Sequence, residues 1–368
     1  MVSMNIDELS VKLGEVIEPD LRDSLANLDM LSKVVKVGGR YRVTLKTYPA
    51  VEGYFDPIAD ELEAIARAHK IELEIEAKGM DEAQLAQLAL KVSKDIEGSP
   101  ERQNRLMVPG APIRILGFSS GKGGVGKSSV TVGVAVALAK AGYRVGILDA
   151  DVYGFSIPKM LGIVRAPSLI GKLMVPPVSY GIKTMSVGYF VSDDTPVIWR
   201  GPMLHKALEQ FLFDVGWGVL DFLCVDLPPG TGDVTLSVAE YLPKVETYVV
   251  TTPQEAAERV AQRSALAAKK LKLPLRGVIE NMSYFTGADG VHYEIFGSGG
   301  GDRLAKSLGI ELLGKIPLDI ELRNGGDVGR PIGIVSPEST TSQAFDSIAA
   351  SIVKLGPARI YKKELKVR

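Results

Sequence analysis

Residues 121–128 read Gly-Lys-Gly-Gly-Val-Gly-Lys-Ser, and no other stretch restricts the fold as much. The pattern G-x-x-x-x-G-K-[ST] works only between a strand and a helix. There its glycines let backbone N–H groups turn onto phosphate oxygens, and the helix N-terminus adds partial positive charge. Both flanks are present: Ile113–Phe118 is an apolar run and Ser129–Ala141 reads as a helix. The pattern therefore predicts a phosphate cradle of Gly121, Gly123, Gly124, Val125, Gly126 and Ser129. Lys127 is expected on the β- and γ-phosphates and Ser128 on Mg2+.

Further apolar runs at 145–148, 222–225, 247–250 and 275–279 alternate with helical stretches. They predict an α/β fold, a phosphate-loop NTPase domain whose mostly parallel sheet is flanked by helices on both faces. Two of the runs end in carboxylates. Val145–Leu148 runs into Asp149-Ala150-Asp151, and Phe222–Val225 runs into Asp226 and then Leu-Pro-Pro-Gly-Thr-Gly-Asp233. Carboxylates at the carboxyl ends of strands face the ligand crevice of an open α/β sheet. Four apolar residues followed by Asp226 form a Walker B pattern, so Asp226 is expected to hold Mg2+ through water. Guanine-specific proteins carry an N/T-K-x-D loop, and the chain has none, which favours ATP over GTP.

Charge divides the chain. Residues 1–98 carry 12 Lys+Arg against 19 Asp+Glu, whereas the rest is net basic although the whole chain sums to −1. Pro and Gly bracket residues 99–112. The reading is a small α/β domain at 1–98, a linker at 99–112 and an ATPase domain at 113–368. In the first domain Ile6, Leu9, Leu13 and Val16 recur at helical spacing. Leu31–Val37 and Arg40–Thr47 flank Gly38-Gly39 as a hairpin, Pro57 opens a helix to His69, Ile71–Glu76 alternates as a strand, and Asp81–Glu97 reads as a helix. The near-neutral charge gives no footing for nucleic-acid binding. No run of ~18 apolar residues spans a membrane, and Met1–Asp7 lacks the regions of a leader. A cytoplasmic protein is expected.

Lys122, directly after the first glycine, resembles the signature lysine of the deviant Walker A ATPases, which include MinD, ParA, nitrogenase iron protein and the Mrp proteins. That resemblance implies a homodimer in which Lys122 reaches the partner's phosphates. It also implies a catalytic role for Asp151 on the attacking water, support of the Mg2+ shell by Asp149, and base contacts from Asn281 and Pro317. Within the class the chain resembles the Mrp (ApbC-type) iron–sulfur ATPases. The resemblance rests on the phosphate loop, Asp149–Gly154, Trp199-Arg200-Gly201-Pro202, Asp226–Asp233, Thr252-Pro253-Gln254, Glu280-Asn281-Met282-Ser283 and Phe296–Gly301. The first domain is similar to the iron–sulfur-assembly domain often fused ahead of them, through Glu18-Pro19-Asp20-Leu21 and Thr47-Tyr48-Pro49. The family implies a [4Fe–4S] cluster delivered to apoprotein clients, with assembly factors as partners.

The sequence departs from that family at the cluster. Members place C-x-x-C between the Asn-Met-Ser and Phe-Gly-Ser-Gly-Gly-Gly elements. Here the slot reads Thr286-Gly-Ala-Asp-Gly-Val-His292, and Cys224 is the one cysteine of the chain. Inside an apolar strand Cys224 reads as a small hydrophobe, so no cluster ligand is identified. Asp289 and His292 offer a metal-ligand alternative to a plain polar loop, and His69 and His205 read as structural. Two other functions compete with iron–sulfur maturation. One is a positioning or partition ATPase of the MinD/ParA kind, against which the basic tail 359–368 is short for a membrane helix. The other is an ATP-switched scaffold.

Overall fold

A strand without polar alternation must be covered on both faces, and Arg114–Ser120 is buried at every residue. A computed structural model describes residues 5–38, 40–93, 106, 113–151, 154–190, 201–230 and 233–358. Contacts divide the chain into two compact units. The first joins residues 1–101 to 165–178 and 214–219, and the second holds the remainder.

The first unit contains α1 (Ile6–Gly14), β1 (Val35–Val37), β2 (Arg40–Thr47), α2 (Asp56–Ala68), β3 (Leu73–Gly79) and α3 (Glu82–Ser93). Asn5 and Glu8 close a reciprocal capping box on α1. The helix ends at Gly14, so Val16, although buried, lies beyond it. The third strand starts two residues later than the alternation predicts. Ile71 N–H closes the end of α2 on Ala66 O, and parallel pairing with β2 carries the strand from Leu73 to Gly79. Of the predicted strand Leu31–Val37, only Val35–Val37 forms a ladder; Leu31 makes a single bridge to Leu45. Residues 94–97 of the last predicted helix lie outside the described residues.

Two later stretches complete this unit. The hairpin of Ser168–Ile170 and Leu173–Val175 inserts Ile170 and Val175 into a core with Leu9, Leu45, Leu62 and Leu88. Arg165 grips both oxygens of buried Asp20, which also accepts from Val178 N at 2.9 Å. Glu18 takes the hydroxyls of Tyr48 (2.8 Å) and Tyr54, and Leu21 N at 2.5 Å. Thus Glu18-Pro19-Asp20-Leu21 and Thr47-Tyr48-Pro49 meet in a buried polar knot.

The second unit follows as β4 (Arg114–Ser120), α4 (Lys127–Lys140), β5 (Val145–Asp149), α5 (Ile157–Met160), β6 (Ile182–Ser186), α6 (Gly201–Phe213), β7 (Phe222–Asp226), α7 (Asp233–Tyr241), β8 (Glu246–Thr251), α8 (Glu255–Lys270), β9 (Leu275–Glu280), α9 (Gly300–Leu308), β10 (Leu312–Lys315), α10 (Ile320–Asp327), α11 (Ile332–Val335) and α12 (Thr340–Leu355). The sheet runs β6-β5-β7-β4-β8-β9-β10, and these neighbours are all parallel. Helix α4 is buried on nearly every side from Val130 to Leu138, as a helix enclosed by other elements must be. Strands β6 and β10 were not among the predicted runs, because Ile-Lys-Thr-Met-Ser and Leu-Leu-Gly-Lys are not continuously apolar. Among the described residues no helix is long and apolar enough to cross a membrane.

Burial holds Glu18 above the usual carboxylate range, overcoming the three donors that favour its ionised form. The folded unit therefore binds this proton more tightly than the unfolded chain. Its stability falls as pH rises from the ordinary value of 4.5 through the raised folded value. Glu18→Gln should flatten that decline, read as urea midpoint against pH from Trp217 fluorescence in a Trp199→Phe background. A slope identical to the parent protein's would refute the assignment.

Candidate functional site

The phosphate loop lies between β4 and α4, at the carboxyl end of the sheet. Two of its glycines are required by close approach. A Cβ on Gly121 would stand 2.3 Å from the backbone of Val260 and Ala261 in α8. Gly126, the left-handed residue before α4 (φ 77°), would put a Cβ 2.2 Å from Asn281 Nδ2. Asn281 is buried at the end of β9 and donates from Nδ2 to Val125 O at 2.9 Å.

Lys127 opens α4 with its ammonium buried, 2.7 Å from Asp226 Oδ2 and 3.3 Å from Asp151 Oδ2. Ser128 Oγ donates to Asp226 Oδ2 at 2.6 Å, and Thr131 Oγ donates to Oδ1 at 2.8 Å. Parallel register sets Asp149 of β5 opposite Asp226 of β7 on one side and Ser186 of β6 on the other. Burial and the neighbouring Asp226 carboxylate push Asp149 up to about 8. Its oxygens accept from Asp151 N (3.2 Å) and Ser186 Oγ (2.9 Å).

Asp151 Oδ1 is buried and has no hydrogen-bond partner among the described residues. A buried carboxylate oxygen left so is destabilising unless something joins it. Beside it, Ser128 Oγ and Asp226 Oδ2 are oxygen donors of the kind that would suit a hard divalent cation such as Mg2+. Around these groups lies a cleft of about 380 Å3, lined by Lys122–Ser129, Asp151, Ser156 and Pro229. An adjoining cleft of about 370 Å3 is lined by Gly126, Ser129, Asn281, Met282, Pro317 and Asp319. Such volumes suit a nucleotide-sized ligand.

Of the predicted site residues, the structure thus brings together the loop, Asp149, Asp151, Asp226, Asn281 and Pro317. Lys122 turns to Gln254, its Nζ 3.4 Å from Oε1. The side chain of Asp233, with Thr231, Gly232, Trp199, Arg200 and the tail 359–368, lies outside the described residues. Thr131 and Ser186 were missed. A lone hydroxyl in a helix or strand carries no motif, and only register shows what it touches.

The slot where the family resemblance leads one to expect cysteines is a short hairpin, Phe285–Thr286 against His292–Tyr293. Asp289 is taken up by its own turn, accepting from Val291 N (3.0 Å) and Tyr293 OH (2.8 Å). His292 stacks on Tyr284 at 4.2 Å. Asp289 and His292 thus both have partners within the hairpin, and among the described residues no group of three or more His, Cys, Asp or Glu side chains is placed to hold a metal ion. Cys224 is fully buried in β7, and burial pushes its thiol well up. His205 bridges Ser237 Oγ (3.0 Å) and Tyr241 OH (2.6 Å), and His69 meets Lys12.

A phosphate loop, two carboxylate-tipped strands and a parallel sheet define a P-loop NTPase. A family model described as ParA: NUBPL iron-transfer P-loop NTPase matches residues 113–353. The iron-sulfur cluster carrier protein of Mycobacterium bovis is 41% identical over 353 residues, covering 92% of this chain and 90% of that protein. A nucleotide-binding protein from Archaeoglobus fulgidus, solved with ADP, is 34% identical with a TM-score of 0.53, covering 64% of this chain and 93% of that one. The cell division ATPase MinD of Pyrococcus furiosus shares the fold at 22% identity and a TM-score of 0.50, covering 66% of this chain and 99% of that one. The chain belongs to the iron-transfer P-loop NTPases, the family of the iron–sulfur cluster carrier proteins.

Gly126→Ala should strain the loop and push against Asn281. Binding of a fluorescent nucleotide should weaken by about tenfold or more. Unchanged affinity in a titration would show that the close approach is not needed for binding.

Proposed function

We propose that the protein is a Mg2+-dependent ATPase that works in the cytoplasm as a homodimer in iron–sulfur protein maturation, acting on apoprotein clients or alongside assembly factors. The reading is carried by the convergence of Lys127, Ser128, Asp151 and Asp226 at one end of the sheet. Ser128 and Asp226 would hold Mg2+, which supplies charge neutralisation on the phosphates when bound. Lys127 exchanges its carboxylate partners for phosphate oxygens. Asp151 orients water for in-line attack on the γ-phosphorus, breaking its bond to the bridging oxygen and releasing ADP and phosphate. Asp149 supports this shell from behind by holding Asp151.

Adenine selectivity follows from the orientation of Asn281. Val125 O accepts only donors, so Nδ2 faces it, leaving Oδ1 for the cleft that Asn281 shares with Pro317. An acceptor there suits the amino group of adenine and repels the carbonyl of guanine. Lys122, held by Gln254 within its own chain, reaches the partner's phosphates on dimerisation.

The cluster is cargo, and this chain's own residues do not fit it. Cys224 is its one cysteine, so a dimer brings two buried thiols where a bridging cluster takes four thiolates. The protein therefore acts as a nucleotide-switched adaptor whose cargo is ligated by another protein.

Asp151→Ala should lower ATP turnover by about 10²–10⁴-fold while keeping ATP binding, and Lys127→Ala should abolish turnover; wild-type phosphate release in either would overturn the site. Lys122→Ala should lose the ATP-induced dimer, and an unchanged mass by light scattering with ATP would refute the reach in trans. Anaerobic incubation with iron and sulfide should leave the purified dimer without bound iron. A full cluster's complement of both elements would show that ligands exist elsewhere in the chain.

A further inference from the structure

The geometry points to Ser186 as a positioning residue of the hydrolytic site, one that holds the Asp149 carboxylate so that Asp149 can hold Asp151. The inference rests on the ATP-hydrolysis reading above. Ser186 ends β6, is fully buried, and stands in register beside Asp149. Its oxygen accepts from Gly188 N at 3.0 Å, and its proton goes to Asp149 Oδ2 at 2.9 Å. Donor and acceptor are both used, so the hydroxyl is fixed from two sides. The other oxygen of Asp149 accepts the backbone N–H of Asp151 at 3.2 Å. The neighbouring Ala150 N–H is held by Asp226 O at 3.0 Å.

The segment bearing Asp151 is thus pinned at two successive amides, one to β7 and one, through Asp149, to β6. The pin through β6 depends on a single hydroxyl. Without it Asp149 Oδ2 loses its one hydroxyl partner among the described residues, and the carboxylate is freer to turn away from the Asp151 amide. The phosphate loop is anchored separately by α8 and Asn281, and Asp151 meets it only through Lys127, whose nearer partner is Asp226. Loss of Ser186 should therefore act on turnover rather than on nucleotide affinity.

Ser186→Ala is expected to lower kcat by about 10–100-fold, the range seen when a partner that orients a metal-site ligand is removed. KM for ATP and the Kd of a fluorescent ATP analogue should stay within about twofold. Hydrogen–deuterium exchange of peptides containing Asp151 should rise, with the phosphate-loop peptides unchanged. Ser186→Thr, which keeps the hydroxyl, should recover much of kcat and serves as the second variant if alanine does not fold. Ser186→Ala should add little to Asp149→Asn, since the two act through one contact. Wild-type kcat in Ser186→Ala, additive losses in the double variant, or a parallel fall in affinity and melting temperature would overturn the assignment. A parent protein that binds the analogue but shows no turnover would instead sink the hydrolysis reading, and this inference with it.

Discussion

The contact between Lys127 and Asp226 is the constraint around which the site is built. An ammonium from the first residue of α4 meets a carboxylate from the last residue of β7, both buried. Removing one partner of such a pair costs about 3–5 kcal/mol, because the other is left charged and unpaired. Ser128 and Thr131 of α4 close on the same carboxylate, so one helix turn is fixed to one strand end by three side chains. Strand β5, beside β7, then delivers Asp149 and Asp151 to the same place. A parallel sheet makes this economical, since strands in register end together and their terminal side chains become neighbours.

The hairpin after β9 contrasts with the phosphate-loop end of the sheet. At the phosphate-loop end the carboxylates, the lysine and the hydroxyls are bonded to one another. The hairpin between Tyr284 and Phe296 holds instead a stacked Tyr284–His292 pair and an Asp289 committed to its own turn. The chain belongs to the iron-transfer family although its one cysteine, Cys224, lies buried in β7 and none lies in this hairpin.

The loop, the two carboxylate-tipped strands and the α/β class were legible in the sequence because each rests on a local pattern: glycine spacing, an apolar run, a charge at its end. What stayed hidden was set by pairing between distant residues. Ile182–Ser186 is not an apolar run, so neither β6 nor the role of Ser186 beside Asp149 could be read from it. Ile71 looked like the start of a strand by alternation but serves to close α2. The charge shift near residue 98 marks a change along the chain, while the first compact unit also recruits residues 165–178 and 214–219. Linear composition has no means of registering such a recruitment.

That recruitment bears on how the protein is made. The first unit draws its core from Leu9, Leu45 and Leu62 and also from Ile170 and Val175, and its buried Asp20 waits for Arg165. Contacts this far apart in sequence close slowly, because the intervening chain must be ordered before they form. Domains emerge N-terminal first during synthesis at about 5–20 residues per second. The opening hundred residues therefore leave the ribosome several seconds ahead of the segments that complete them. Through that interval the part of their core that Ile170 and Val175 later fill stands open.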